Sequence, residues 1–542
     1  MASLALPSTN WFFRANKAGV CIVFRMSSLK VERARKVGPE HICKKVLDRL
    51  QFVDYLKGRG WSAEKAELAA VQVIERAVRP YSELKTVSEI RENSAVCELY
   101  GIDPASVNKD SLYGSALSLY EERLGLEGHL NSRVRSLFGS GDVVYILDTS
   151  NTYMEGRMVG SQVFRFGRCK SKRYDCKIVV LAAVVNTDGL LVRTMIYEGN
   201  RQDVTTVKEV VGTLAGQTSQ DARKIVVMDA GFYSAANAKW LVDNHFDYIT
   251  VLPSGSARFT PDSDKVVRHE DCRHQEIRLQ MGSVEIEGQS RKALLVDSDA
   301  KALKEQSMHD LAASRYEDGL EAIRAGITKK HGTKLRDAVN NRLGRLDKQY
   351  GAIRKEYEIT FTYEGKGKKE KAVSMQWSRK DDRIGQRQKF HGKYVLLTSF
   401  DENDELNVWK FYNVIRTVEE TFHTLKTDID IRPVYHKSDG GIKAHLNLAV
   451  LAYWIVSVTK YRLKLRKYPN IRWDEIMRIA QAQVVVTAEM DTEDGKRVSV
   501  RQSTEAEEEL AAIYALLDIT ANPIGKVKSV VPLKGPPKKS TS

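Results

Sequence analysis

Two β-branched apolar runs, KIVVLAAVV at 177–185 and LLVRTMIY at 190–197, are separated only by Asn186, Thr187, Asp188 and Gly189. A connector this short and this rich in Asn, Asp and Gly turns an extended chain back on itself, so the stretch predicts an antiparallel hairpin. Upstream stands a third run, VVYIL at 143–147, ending in Asp148. Downstream come a helical stretch (DVTTVKEVVGTLAG), the run KIVVM ending in Asp229, the helix SAANAKWLVDNH and the run YITVL. This β-β-β-α-β-α-β order predicts an α/β fold, with the antiparallel hairpin joined to parallel strands connected by crossover helices. Asp148 and Asp229 would each stand at the carboxyl end of a central strand, the edge where ligand and metal sites of open α/β sheets collect. A single such Asp serves equally well as a cap for the turn that follows it.

Other textures flank this unit. Residues 41–138 carry apolar positions three and four apart, which predicts an all-helical N-terminal region, while WFF and CIVF before it read as an edge hairpin or a ragged extension. After Pro253 the alternation gives way to charged loops (PDSDKVVRHEDCRHQ), two long polar helices around 300–356, and strands at 357–363, 372–377 and 393–398, which together read as an α+β insertion. A helix at 404–427 and an apolar helix at 442–460 would complete the α/β unit. The last region has a hairpin-like piece, VVVTAEMDTEDGKRVSV, a helix at 504–517, and a Pro/Lys/Ser tail from 523 that reads as disordered. The expected divisions are 1–140, 141–252, 253–400, 401–465 and 466–542.

Lys and Arg number 85 against 70 Asp and Glu, a formal charge of +15, which favours a polyanionic partner, nucleic acid before a membrane surface. The longest apolar run, LNLAVLAYWIVSV at 446–458, is shorter than the roughly 18 residues a membrane span needs and reads as a buried helix. Six cysteines form no CxxC pair, which suits a reducing, cytoplasmic-type compartment.

The segment KFYNVIRTVEETFHTLK, 410–426, sets Tyr412, Glu419 and Lys426 at seven-residue intervals, which in one helix places them on one face. Ile415, Arg416 and His423 share that arc, and Glu420 points about a quarter-turn away, so periodicity prefers Glu419 as the inward carboxylate. A carboxylate between a phenol and an ammonium suits a metal-and-phosphate surface, although a packing stripe with solvated charges has the same pattern. Asp148, Asp229 and Glu419 could converge only if cations neutralised them, and hard oxygen ligands suit Mg²⁺ or Mn²⁺.

In order along the chain stand DTSNTYMEG, GRCKSKRYD, YEGNRQD, MDAGFYSAAN, KYVLLTSFDEN, the Tyr412, Glu419 and Lys426 spacing, IRPVYH and IKAHLNLAVLAYW. Over residues 148–460 this set resembles transposases of the DDE superfamily, in the branch of insertion-sequence family four near its sixteen-thirty-four-type members. The resemblance implies an RNase H-like mixed sheet with flanking helices and a β-rich insertion before the helix bearing the Glu. Asp148, Asp229 and Glu419 would be the three catalytic carboxylates holding two Mg²⁺ or Mn²⁺ ions. The family's helix pattern has Arg where this chain has Ile415, and Arg416 follows at once. Tyr412, Arg416 and Lys426 would contact DNA phosphates, Lys172 and Arg173 would track the backbone, and the ring of Trp377 would stack on a flipped base unless it packs in the core.

The implied function is cleavage of element ends and their transfer to target DNA. The helical N-terminal region would bind terminal inverted repeats, a homodimer would hold two ends in the synaptic complex, and the compartment would be the cytoplasm at the nucleoid, with no membrane. A catalytically inactive, transposase-derived DNA-binding protein is the alternative. A haloacid-type phosphatase would need a second Asp where Ser150 stands, and no GxGxxG follows the first run to bind a dinucleotide.

Overall fold

The computed structural model describes residues 11–14, 21–139, 144–155, 160–169, 173, 175–214, 224–252, 258–270, 274–432 and 434–533. The chain divides into two units, residues 1–226 with 414–542 and residues 227–413.

In the first unit, helices α1 (Ala63–Val78) and α2 (Lys109–Phe138) carry the caps their sequences announce. Ser62 accepts from the Lys65 N–H, and Asn108 and Ser111 form a reciprocal capping box. Two later helices of the same unit are α3 (Ile415–Thr427) and α4 (Asp439–Leu465). Helices α1 and α2 both pack on α4. An 18-residue stretch of α4 is apolar enough to cross a membrane, but 83% of it is buried in the protein, and a helix hydrophobic all round is what a core axis requires.

Strands β1 (Val144–Tyr153), β2 (Ile178–Val185) and β3 (Leu191–Glu198) pair antiparallel, and β4 (Lys224–Met228) starts beside β1. The Asn186 to Gly189 connector turns as its residues predict. The Asn186 side-chain oxygen accepts from the backbone N–H groups of Asp188 and Leu190, both at 3.0 Å, and Gly189 has φ +79°.

Two expectations need correction in this unit. Strand β1 does not stop at Leu147: it runs to Tyr153, so Asp148 sits mid-strand opposite Ala183. The polar run after Asp148 stays extended because β2, buried along its whole length, pairs with it and its side chains find partners indoors. The tail from 523 is not without structure, for Val527–Pro532 pairs with Lys496–Ser503. Within residues 41–138 the regular elements are helices, and of the two readings left open before them the structure has the hairpin. Lys30–Lys36 pairs with Val484–Asp491, closing a four-stranded sheet made from both ends of the chain, and Trp11–Arg14 pairs with Cys21–Phe24 as a hairpin.

The second unit begins inside β4. Beyond it the strand order is β5 (Phe246–Val251), β8 (Lys393–Thr398), β7 (Gln289–Ser298) and β6 (Glu276–Ile286), followed by Val267–Glu270. The long β6–β7 hairpin escaped the sequence reading because its strands mix charged and apolar residues. Its two-residue turn, Glu287 and Gly288 at φ +51° and +73°, has the left-handed backbone such hairpins use. Helices Asp299–Thr328 and Arg336–Gln349 and the paired strands Tyr357–Glu364 and Lys371–Arg379 form a core of their own around Tyr316, Leu320, Ile323 and Tyr357.

The helix expected over 404–427 is two helices, Glu405–Asn413 and α3, interrupted at Val414. The Thr417 N–H donates to the Val414 carbonyl at 2.8 Å, an i to i+3 bond, where β-branched Val414 and Ile415 stand together. The seven-residue interval from Tyr412 to Glu419 crosses this break, so periodicity does not give them a common face. Glu419 and Lys426 remain on one continuous helix.

Candidate functional site

Helix α3 packs on β1, β2 and α4 through Val418, Thr421, Phe422 and Leu425. The two adjacent carboxylates leave this buried stripe on opposite flanks, as a 100° step per residue requires. Both carboxylates are exposed, as are Arg416 and His423, but Lys460 of α4 donates to Glu420 Oε1 at 3.1 Å and has no counterpart at Glu419 among the described residues. Lys426, one full heptad after Glu419, is half-buried with its ammonium 5.7 Å from the centre of the Phe422 ring.

Asp148 is half-buried and its Oδ1 accepts from the Thr149 N–H at 2.7 Å. Alternation along β1 puts Asp148, Ser150 and Thr152 on one face, and Thr152 Oγ1 donates to the Ile431 carbonyl at 3.3 Å. On the other face Thr149 Oγ1 donates to Asp203 Oδ1 at 2.6 Å and the Asn151 amide to the Arg168 carbonyl at 3.0 Å. The first unit thus brings the strand of Asp148 and the helix of Glu419 into contact.

Asp229 is the first residue of the second unit beyond β4. It is exposed, and its Oδ1 accepts from the Ala230 N–H at 2.7 Å, a cap on the turn that follows. Among the described residues no basic side chain neutralises Asp229 or Glu419, so both carboxylates are open to a cation. Carboxylate oxygen is a hard donor, which in either place suits Mg²⁺ or Mn²⁺ and not a soft metal.

The remaining candidates lie in different settings. Arg173 Nη1 and Nη2 pair with Glu155 and Asp175 at 2.9 and 2.6 Å, and the guanidinium lies 4.9 Å from the centre of the Tyr153 ring. Its hydrogen bonds hold the Asp175 carboxyl down to about 2, so much of its charge is already answered within the chain. Lys172 lies outside the described residues. In the second unit, Tyr412 is half-buried with its ring 6.1 Å from that of Tyr394. Trp377, also half-buried, packs against the apolar cluster 5.8 Å from the Tyr357 ring.

Sequence reasoning passed over several residues here. Arg432 faces the Tyr153 ring from 6.0 Å, at the end of the strand's extension past Asp148. Tyr453 was absorbed into an apolar run, yet its hydroxyl is bonded to α3; a phenol among aliphatic residues, which needs a polar partner once buried, was the available signal.

A separate group, Glu83, His436 and His445, has ligand atoms within 4.8 Å of one another. The buried Arg76 guanidinium stands 3.3 Å from His445 Nε2, so a permanent cation already occupies this group. Burial and that guanidinium hold the His445 ring well below the usual histidine range.

Residues 140–455 match the sequence model of the family described as Transposase DDE domain. No curated protein matches the chain.

Proposed function

Because this chain belongs to the transposase DDE domain family, we propose that it is the DNA transposase of an insertion sequence, in the branch of family four, acting as a metal-dependent polynucleotidyl transferase. The observation that carries this reading is α3 packed on β1, which sets the helix of an unneutralised Glu419 against the strand of Asp148. Asp148, Asp229 and Glu419 are the ligands, and the core they belong to is RNase H-like, interrupted by the insertion at 253–400.

Two Mg²⁺ or Mn²⁺ ions held there would supply activation of the attacking oxygen and stabilisation of the leaving one. The chain's own residues position the DNA. Arg416 and Lys426, on the same helix as Glu419, bind phosphates flanking the scissile bond, with Tyr412 as a further end contact. No residue is required as a nucleophile, since water and later a DNA 3′-hydroxyl attack phosphorus in line. Trp377 keeps the packing role its half-buried ring suits, and Arg173, already engaged by two carboxylates, is at most a secondary backbone contact.

The helical residues of 1–140 read the terminal inverted repeats. Two copies of the chain hold two ends and the target duplex in one synaptic complex. The deciding experiment is cleavage of a labelled end duplex with Mg²⁺. D148A, D229A and E419A should each lose cleavage while retaining DNA binding; full activity in any one of them refutes the assignment of that residue.

A further inference from the structure

We infer that the Tyr453 hydroxyl is a positioning group for Glu419: it clamps α3 at a fixed rotation from behind. The inference rests on the reading of Glu419 as a metal ligand. Tyr453 is 5% exposed, and its oxygen lies 2.9 Å from Thr421 Oγ1 on α3 and 3.0 Å from the Gly189 carbonyl at the β2–β3 turn. Proton counting gives the bonds their direction. The carbonyl can only accept, so Tyr453 donates to Gly189, and the single Thr421 proton is shared between the Tyr453 oxygen and the Thr417 carbonyl at 3.1 Å. One phenol therefore ties together three elements: α3, α4 and the hairpin turn.

Thr421 follows Glu419 by two residues, which is about 200° around the helix, so the clamp grips the side of α3 opposite the carboxylate. Gly189 reinforces it, since a Cβ there would stand 3.0 Å from Thr417 Cγ2, one helical turn before Thr421. The clamp has something to prevent. A cavity of about 150 Å³ bordered by Thr417, Glu420, Thr421, Tyr453 and Lys460 adjoins this face, so packing alone does not fix the helix. The break at Val414 also removes the support a continuous preceding helix would give. A side-chain end lies about 5–6 Å from a helix axis, so a turn of about 10° moves the carboxylate by about 1 Å. A displacement of that size in a reacting assembly costs up to about a hundredfold in rate.

The test is Y453F and T421V in the full-length chain, measured by Mg²⁺ titration of end cleavage, by DNA affinity and by thermal unfolding, with E419A alongside. The expected result is a rate at saturating DNA and Mg²⁺ lowered at least about tenfold, a Mg²⁺ midpoint shifted upward, and unchanged DNA affinity. The double variant should be no slower than the worse single one, because both cut the same chain of bonds. If Y453F fails to fold, T421V, which leaves the Tyr453 to Gly189 bond in place, carries the test. A wild-type rate and midpoint in T421V or Y453F beside an inactive E419A overturns the inference and leaves the function standing. Loss of rate in step with affinity and stability, at an unshifted Mg²⁺ midpoint, makes the phenol a packing group and also overturns it. An active E419A removes the reading on which the inference rests.

Discussion

Lys460 Nζ stands 3.1 Å from Glu420 Oε1, so of the two neighbouring carboxylates on α3 one is held by α4 and the other is not. Glu420 is 65% exposed, and an exposed pair of this kind contributes about 0–1 kcal/mol. E420Q should therefore retain end cleavage within about threefold and melt within a degree or two of the parent, while E419Q loses cleavage. Parallel rate measurements on the two variants decide it; equal loss in both would reject the distinction between the flanks.

Gly189 must remain Gly. Its φ of +79° is strained for any residue with a Cβ, and that Cβ would press on Thr417 Cγ2. G189A should lower stability by about 1–2 kcal/mol in urea unfolding. G189A/T417S should recover only the steric part.

Arg416 and Arg173 should separate in salt titrations of DNA binding. Binding through phosphates falls steeply as salt rises. R416A should lower the slope of log affinity against log salt by about one, the signature of one lost phosphate contact. R173A should leave the slope nearly as it was, because Glu155 and Asp175 already hold that guanidinium.

Acid should weaken the fold through His41. Its ring is buried, bonded to the Thr520 carbonyl at 2.8 Å, and burial, with Lys45 and Lys44 nearby, lowers its pKa to about 4. Above pH 6.5 neither the folded nor the unfolded form carries the proton. Between 6.5 and 4 only the unfolded form takes it up, so stability falls as pH drops through that window by about 3 kcal/mol from this group. His445 acts in the same direction. H41Q should flatten part of the slope of unfolding free energy against pH.

The sequence made plain what local chemistry decides alone. The Asn186 to Gly189 connector contains its own acceptor for two backbone donors and its own left-handed residue, so the hairpin needed no tertiary information. Glu419 and Lys426 were legible as a pair because the helix between them is unbroken. What escaped depends on partners far away in the chain. The extension of β1 past Asp148 is dictated by β2, and Val527–Pro532 is a strand only because Lys496–Ser503 offers it an edge. The β6–β7 hairpin lacks long apolar runs and is marked mainly by its Glu287 and Gly288 turn. The interruption at Val414 had a local sign in two adjacent β-branched residues, but α-propensity on either side concealed it.

The sheet that joins both ends of the chain bears on how the protein is made. The Asp491 N–H donates to Ser28 Oγ, a partner 463 residues earlier in the sequence. At about 5–20 residues per second of synthesis, the strand Lys30–Lys36 waits at least about twenty seconds on the ribosome for the neighbour that pairs with it. A nascent or prematurely terminated chain lacks that neighbour and exposes an unpaired edge, so this part of the fold forms only once translation has passed residue 491.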